Sequence, residues 1–207
     1  MRDKDKATTF DCATSIAVIM TEQSEALVEM CDYIDERVMI SRRISSFEAN
    51  ADDLFHNLGF YFLENKLMTD PDANTLFEIV KKLEGITDSF EELSNSLVRY
   101  NITESGESLQ ECATVLSGAS QMAYELLINI RDKTPSSLIL RDLNTLDKFK
   151  SKYCKFYDEA ILELFSEPHD TLDIIKSKAI YDAFKFTFEQ FEQMTEACYR
   201  YVLSYLG

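Results

Sequence analysis

Two acidic doublets are the residues of this chain best placed to do chemistry. Glu48 and Asp52 fall in SSFEANADDLFHNL, and Glu84 and Asp88 fall in KKLEGITDSFEEL. On a helix, residues four apart lie about 6 Å apart along the axis and about 40° apart around it, so each doublet can point at one object. Both border an apolar stripe rather than opposing it: Glu48 follows Phe47, Asp52 follows Ala51 and Glu84 follows Leu83. The expected location is a seam between two helices. Four carboxylates crowded at a seam repel one another unless a cation sits among them or some are protonated. Oxygen-only donors suit a hard cation, magnesium, manganese, calcium or iron, over zinc. The chain has 37 acidic residues among 207, so isolated doublets are common on solvated faces. The shared border with the core sets these two apart. His56 lies one turn beyond Asp52, where a hydrogen-bonded flanking role and a ligand role are both open.

The elements that must position these side chains are helices. Apolar residues recur at three- and four-residue spacing almost throughout, as in Leu76, Ile79, Leu83, Ile86, Phe90, Leu93, Leu97 and in Ile180, Phe184, Phe188, Phe191, Met194, Cys198, Val202. No alternating strand pattern competes, and five glycines and three prolines are too few for a turn-dense β fold. Breaks are sparse. Asp70-Pro71 offers a capping carboxylate before a proline at the first helical position. Gly106, the Lys133 to Ser137 stretch and Glu167-Pro168-His169-Asp170 mark others, and a softer break near Tyr33 to Glu36 rests on stripe phase. The expected fold is all-α, with six long helices near 8–33, 36–68, 71–101, 105–132, 136–166 and 170–206.

The helices pair into two halves. FEANADDLFHNLGFYFLE aligns with FKSKYCKFYDEAILELFSE, Phe47 on Phe149, and LEGITDSFEEL aligns with FKFTFEQFEQM, Leu83 on Phe184. At nearly the same offset, Phe90 falls on Phe191 and Glu91 on Glu192. This predicts two tandem three-helix repeats, 1–103 and 104–207, forming one continuous elongated bundle.

Composition bounds the function. Twenty-one Lys and Arg against 37 Asp and Glu give a formal net charge of -16, a poor match for nucleic-acid backbones and a better one for cations or basic protein surfaces. Five scattered cysteines without a CxxC read as free thiols in a reducing cytoplasm. Two histidines argue against an imidazole-built zinc site. The N-terminal stretch is broken by Asp11, Thr14 and Ser15, so no signal peptide is expected. No apolar run approaches the roughly 18 residues of a membrane span. Lys148, Lys150, Lys152 and Lys155 form a basic cluster, read as a solvated face or as a contact for an anion or acidic partner.

The segment RISSFEANADDLFHNLGFYFLENKLMTDPDANTLFEIVKKLEGITDSFEELSNSLVRYNI resembles the first half of PhoU-related phosphate transport regulators, also described as Pit accessory proteins. YDEAILELFSEPHDTLDIIKSKAIYDAF resembles their second half, including the Ile-Lys-x-Lys-x-Ile-Tyr run. The likeness runs over nearly the whole chain. It implies two three-helix repeats, a cytoplasmic, non-enzymatic, regulatory role in inorganic phosphate uptake, and a membrane phosphate transporter or its sensor as protein partner. In PhoU, paired E(D)xxxD motifs hold metal clusters. The resemblance carries that motif onto Glu48 and Asp52, then Glu84 and Asp88. Its second-half counterparts are Lys150, Cys154, Lys185 and Glu189, three of which are not oxygen ligands. One cation site is therefore expected rather than two, with Lys150 and Lys185 neutralising Glu189 and Glu192.

Two other functions compete. A metal-dependent phosphohydrolase would need an ExxE and ExxD pair; Glu22 and Glu25 supply the first and no ExxD follows at the expected distance. A metal-free scaffold, a homodimer through aromatic residues of the last helix, would use Phe184, Phe186, Phe188 and Phe191, whose default role is to fill the core between repeats.

Overall fold

A computed structural model describes residues 1–166 and 170–206. Among the described residues six α-helices run in order: α1 (Asp3–Asp32), α2 (Arg37–Glu64), α3 (Pro71–Arg99), α4 (Glu107–Arg131), α5 (Ser136–Ser166) and α6 (Thr171–Leu206). Short 3-10 turns at Ile34–Glu36 and Leu67–Thr69 join the first three. Among the described residues there is no strand, and the all-α expectation holds. The break predicted at Glu167, Pro168 and His169 lies outside the described residues. At 1.5 Å per residue the 31-residue α5 is roughly 45 Å long.

Local chemistry sets the ends. The Asp70 carboxylate accepts from the N–H groups of Asp72 (3.0 Å) and Ala73 (3.2 Å), with Pro71 next to it opening α3. Asp170 caps α6 in the same way, accepting from Leu172 N–H at 2.8 Å. Three stops use non-glycine residues at positive φ: Lys66 (56°), Asn101 (51°) and Lys133 (54°). After Asn101, Ile102 N–H reaches back to Leu97 O at 3.0 Å, and after Lys133, Thr134 N–H reaches Asn129 O at 3.0 Å.

Two boundaries differ from expectation. α1 begins at Asp3, because Arg2 grips Asp5 (2.8 and 3.0 Å) while Tyr61 of α2 donates its hydroxyl to the same carboxylate at 2.8 Å. That contact holds Asp5 well below the usual carboxylate range, the Arg2 hydrogen bond contributing most. α2 ends at Glu64 because Lys66 turns left-handed and starts the second 3-10 turn.

Single helices of this composition are marginal in water; tertiary burial holds them. α1 packs against α2, α3 and α4, α3 packs against α6, and α5 lies on α4 and α6. Ile16, Met20 and Leu27 of α1, Leu76, Leu83 and Phe90 of α3, and Phe184 of α6 are fully buried. Each such side chain contributes roughly 1.5–3 kcal/mol. Phe90 meets Phe191 edge-on with ring centroids 6.3 Å apart, tying α3 to α6. Gly118 lets α5 approach α4: a Cβ there would stand 2.6 Å from Cε1 of Phe149.

Burial follows the alignment of the halves. The buried residues of α2 are Ile40, Ser41, Ile44, Ala51, Leu58 and Phe62. Those of α5 include Asp142, Leu143, Leu146, Tyr153, Ala160 and Leu164, the same spacing in the same register that sets Phe47 on Phe149. This is the pattern a duplicated three-helix unit would give.

Candidate cation site

The site starts with Gln23, which sequence reasoning did not single out. It is fully buried on α1, and its Nε2 donates to Ile44 O of α2 (3.3 Å) and to Thr87 O of α3 (3.2 Å). One side chain thus fixes the register of two helices. Ile44 lies one turn before Glu48, and Thr87 precedes Asp88, so the same register brings the two doublets to one level. Glu48, Asp52 and Glu84 are half-buried and Asp88 is exposed.

The four carboxylates act on one another. Burial pushes Glu48 up to about 7, and the negative charges of Glu91, Asp88 and Asp52 push it in the same direction. The contact between Glu48 and Asp88 works to raise Glu48 and to lower Asp88. Partial desolvation also raises Glu84 and, although its side chain reaches solvent, Asp88, and Asp52 adds to both. The quartet predicted from spacing is therefore one electrostatic unit. Glu91 is a fifth member, acting on both Glu48 and Asp88. It lies three residues after Asp88, outside the four-residue spacing that marks the doublets. His56 turns its Nδ1 to Asp52 Oδ1 at 3.0 Å, an ion pair when the ring is protonated.

In charge and donor chemistry these residues fit a hard cation. Their present arrangement is not a finished cage: among the described residues, no three His, Cys, Asp or Glu side chains stand together as metal ligands. Asp52 is engaged by His56, and Glu48 by Asp88.

The second half answers the same problem differently. Lys150, aligned with Glu48, forms an ion pair with Glu192, aligned with Glu91. The neutralisation expected there holds for this pair. Lys185 lies over the ring of Tyr157, 5.2 Å from its centroid, and among the described residues forms no ion pair with a carboxylate; Glu189 and Cys154 are exposed. Within the basic cluster, Lys152 sits over Phe156, Lys155 reaches Glu159 at 3.7 Å, and Lys148 is exposed.

Other features lie elsewhere. All five cysteines are free. Burial pushes the thiols of Cys12, Cys31, Cys112 and Cys198 up to about 12, which leaves them inert. Glu22 and Glu25 are exposed on α1. Phe184, Phe188 and Phe191 fill the core, whereas Phe186 is exposed. A cavity of about 530 Å³ near Phe10, Ile130, Ile139 and Val202 shares no residue with the carboxylates. Among the described residues, no helix is long and apolar enough to cross a membrane. Comparison with protein-family models and with the curated proteins returns no match.

Proposed function

We propose that the chain is a non-enzymatic regulatory protein whose first half responds to a cation and whose surface engages a protein partner. The observation that carries the reading is the charge exchange between the halves. Where the second half supplies Lys150 to Glu192, the first half leaves Glu48 among Glu91, Asp88 and Asp52. A built-in cation on one side and, on the other, a cluster whose carboxylates outnumber the neighbouring His56 and Lys81 fit a site that takes further positive charge from solution. Glu48, Asp52, Glu84 and Asp88 would hold magnesium, manganese, calcium or iron, which would supply charge neutralisation and no bond-making chemistry. The same cluster takes up a proton near neutral pH, so proton and cation compete for it.

The setting we propose is inorganic phosphate uptake, with a membrane phosphate transporter or its sensor as partner and the protein in the cytoplasm at the inner membrane face. The order of motifs along the chain supports this reading, as does the resemblance they carry. Net charge of -16 disfavours nucleic acid as partner. The exposed, isolated Glu22 and Glu25 give no support to a phosphohydrolase.

The experiment is phosphate accumulation in cells of the source organism lacking this protein, complemented with wild type or with Glu48→Gln/Glu84→Gln. Altered accumulation restored only by wild type supports the reading. Accumulation unchanged by the deletion removes phosphate transport from it. Turnover of nucleotides or phosphoesters with manganese present would overturn the non-enzymatic assignment.

A further inference from the structure

The end of the bundle where α5 meets α6 carries an apolar surface that the core does not use. Leu162 and Phe165 of α5 are 72% and 62% exposed, and Leu172 and Ile175 of α6 are 56% and 59% exposed. Ala160 and Leu164 carry the buried stripe of α5, so Leu162 and Phe165 fall off it toward solvent. The antiparallel register of the two helices is set further along. Tyr153 donates its hydroxyl to Tyr181 O at 3.1 Å, Tyr157 donates to Asp182 at 2.9 Å, and the Tyr153 ring stacks on Phe188 at 4.0 Å. That register brings Leu162 and Phe165 level with Ile175 and Leu172. Four large apolar residues at one end of two paired helices are more than scattered surface hydrophobics.

Most of the charged residues around them are acidic, although Lys176 follows Ile175 directly and is half-buried. Asp158, Glu163, Asp170 and Asp173 are all exposed. Lys155 is drawn to Glu159 and Lys178 to Asp182. Asp170 is engaged as the α6 cap, and among the described residues Asp158, Glu163 and Asp173 are in no ion pair. The corresponding end of α2 and α3 differs. Phe60 and Leu63 stand at the positions of Leu162 and Phe165, 65% and 67% exposed, but α3 opens with Pro71, Asp72, Asn74 and Thr75 and adds no second apolar pair.

From this we infer that the α5–α6 end is a docking surface for a basic, amphipathic segment of a protein partner, one that presents apolar side chains flanked by Lys or Arg. Charge complementarity selects that occupant. A second copy of this chain would set acidic rim against acidic rim. An anionic lipid surface would meet the same repulsion. The inference rests on the reading of the chain as partner-binding, and needs no cation at Glu48.

The test uses the full chain and two helical peptides of about 18 residues with the same Leu pattern, one with Lys and one with Glu at the polar positions. Binding is followed by fluorescence anisotropy, alongside sedimentation of the protein alone and flotation with phosphatidylglycerol vesicles. Wild type should bind the Lys peptide, more weakly as salt rises, and not the Glu peptide. Leu162→Gln/Phe165→Gln/Ile175→Gln keeps every charge and should weaken binding by about tenfold or more. Phe60→Gln/Leu63→Gln should bind as wild type. Glu48→Gln should also bind as wild type, which separates this surface from the cation site. Equal affinity of wild type and the triple variant for the Lys peptide would overturn the inference. So would self-association or vesicle binding abolished by the triple variant. Circular dichroism melts should show all variants folded, since the apolar side chains replaced are exposed and glutamine keeps the shape of the half-buried Glu48.

Discussion

Lys150 of α5 reaches Glu192 of α6 at the place where the other half of the bundle sets Glu48 of α2 beside Glu91 of α3. The two halves share buried positions but carry opposite charges at Glu48 and Lys150 and at Glu84 and Lys185. The second half is neutral there by its own sequence. The first half has a carboxylate where the second has Lys150, and Glu48 is raised there.

Lys150→Glu should reproduce the first-half problem in the second half. The ion pair is partly exposed on both sides, 45% for Lys150 and 39% for Glu192, so its loss alone is worth at most about 1 kcal/mol. The sharper expectation is a new pH dependence. Two carboxylates now face each other, so the variant should gain stability on acidification toward pH 5 relative to wild type. Urea titrations at several pH values read this directly, and parallel curves for the two proteins would contradict it.

Glu48→Gln should flatten the pH profile of stability. The folded pKa of Glu48 is about 7 against an ordinary value of 4.5. A carboxyl raised in this way stabilises the fold fully below 4.5, and that contribution is lost as pH rises through about 7. Wild type should therefore lose stability between those values, with Glu84 and Asp88, both raised, acting in the same direction. The variant should be more stable than wild type at pH 8 by about 1 kcal/mol after solvent screening, and nearly equal at pH 4.5. Thermal melts across that range check the sign.

Gly118→Ala should destabilise the α4–α5 contact despite alanine's higher helix propensity. The added methyl meets the Phe149 ring at 2.6 and 2.9 Å, and overpacking of this kind costs about 1–3 kcal/mol. Phe149→Leu in the same chain should recover part of the loss. A melt showing Gly118→Ala more stable than wild type would mean that Phe149 swings aside freely.

Asp70→Ala removes the cap of α3 together with the ion pair to the Met1 amine, 2.8 Å away. Loss of the cap costs about 1 kcal/mol. Asp70 is held below its ordinary range, chiefly by the terminal amine, so its contribution is present at neutral pH and lost on acidification. The gap between Asp70→Ala and wild type should close toward pH 2, and hydrogen exchange in the first turn of α3 should rise.

The readable parts of this fold are those written locally. Asp70-Pro71 announces α3, and the three-to-four spacing from Leu76 to Leu97 names residues that are all fully buried. The unread parts depend on contacts between distant segments. α1 starts early because Tyr61, 56 residues further on, shares Asp5 with Arg2. α2 stops early because Lys66 adopts a conformation usual for glycine, which leaves no compositional mark. At the candidate site, four-residue spacing couples Glu48 with Asp52 and Glu84 with Asp88, because a helix turns such pairs to one side. Spacing could not reveal Glu91, whose influence comes from facing Glu48 across the seam, nor Gln23, whose role is to hold two backbones.

Equilibrium dialysis against manganese at pH 8, comparing wild type with Glu48→Gln/Glu84→Gln, tests the cation assignment most directly. The account predicts one saturable site per chain in wild type, competed by protons as pH falls below 7, and none in the double variant. Equal manganese uptake by the two proteins, or none by wild type, would contradict it.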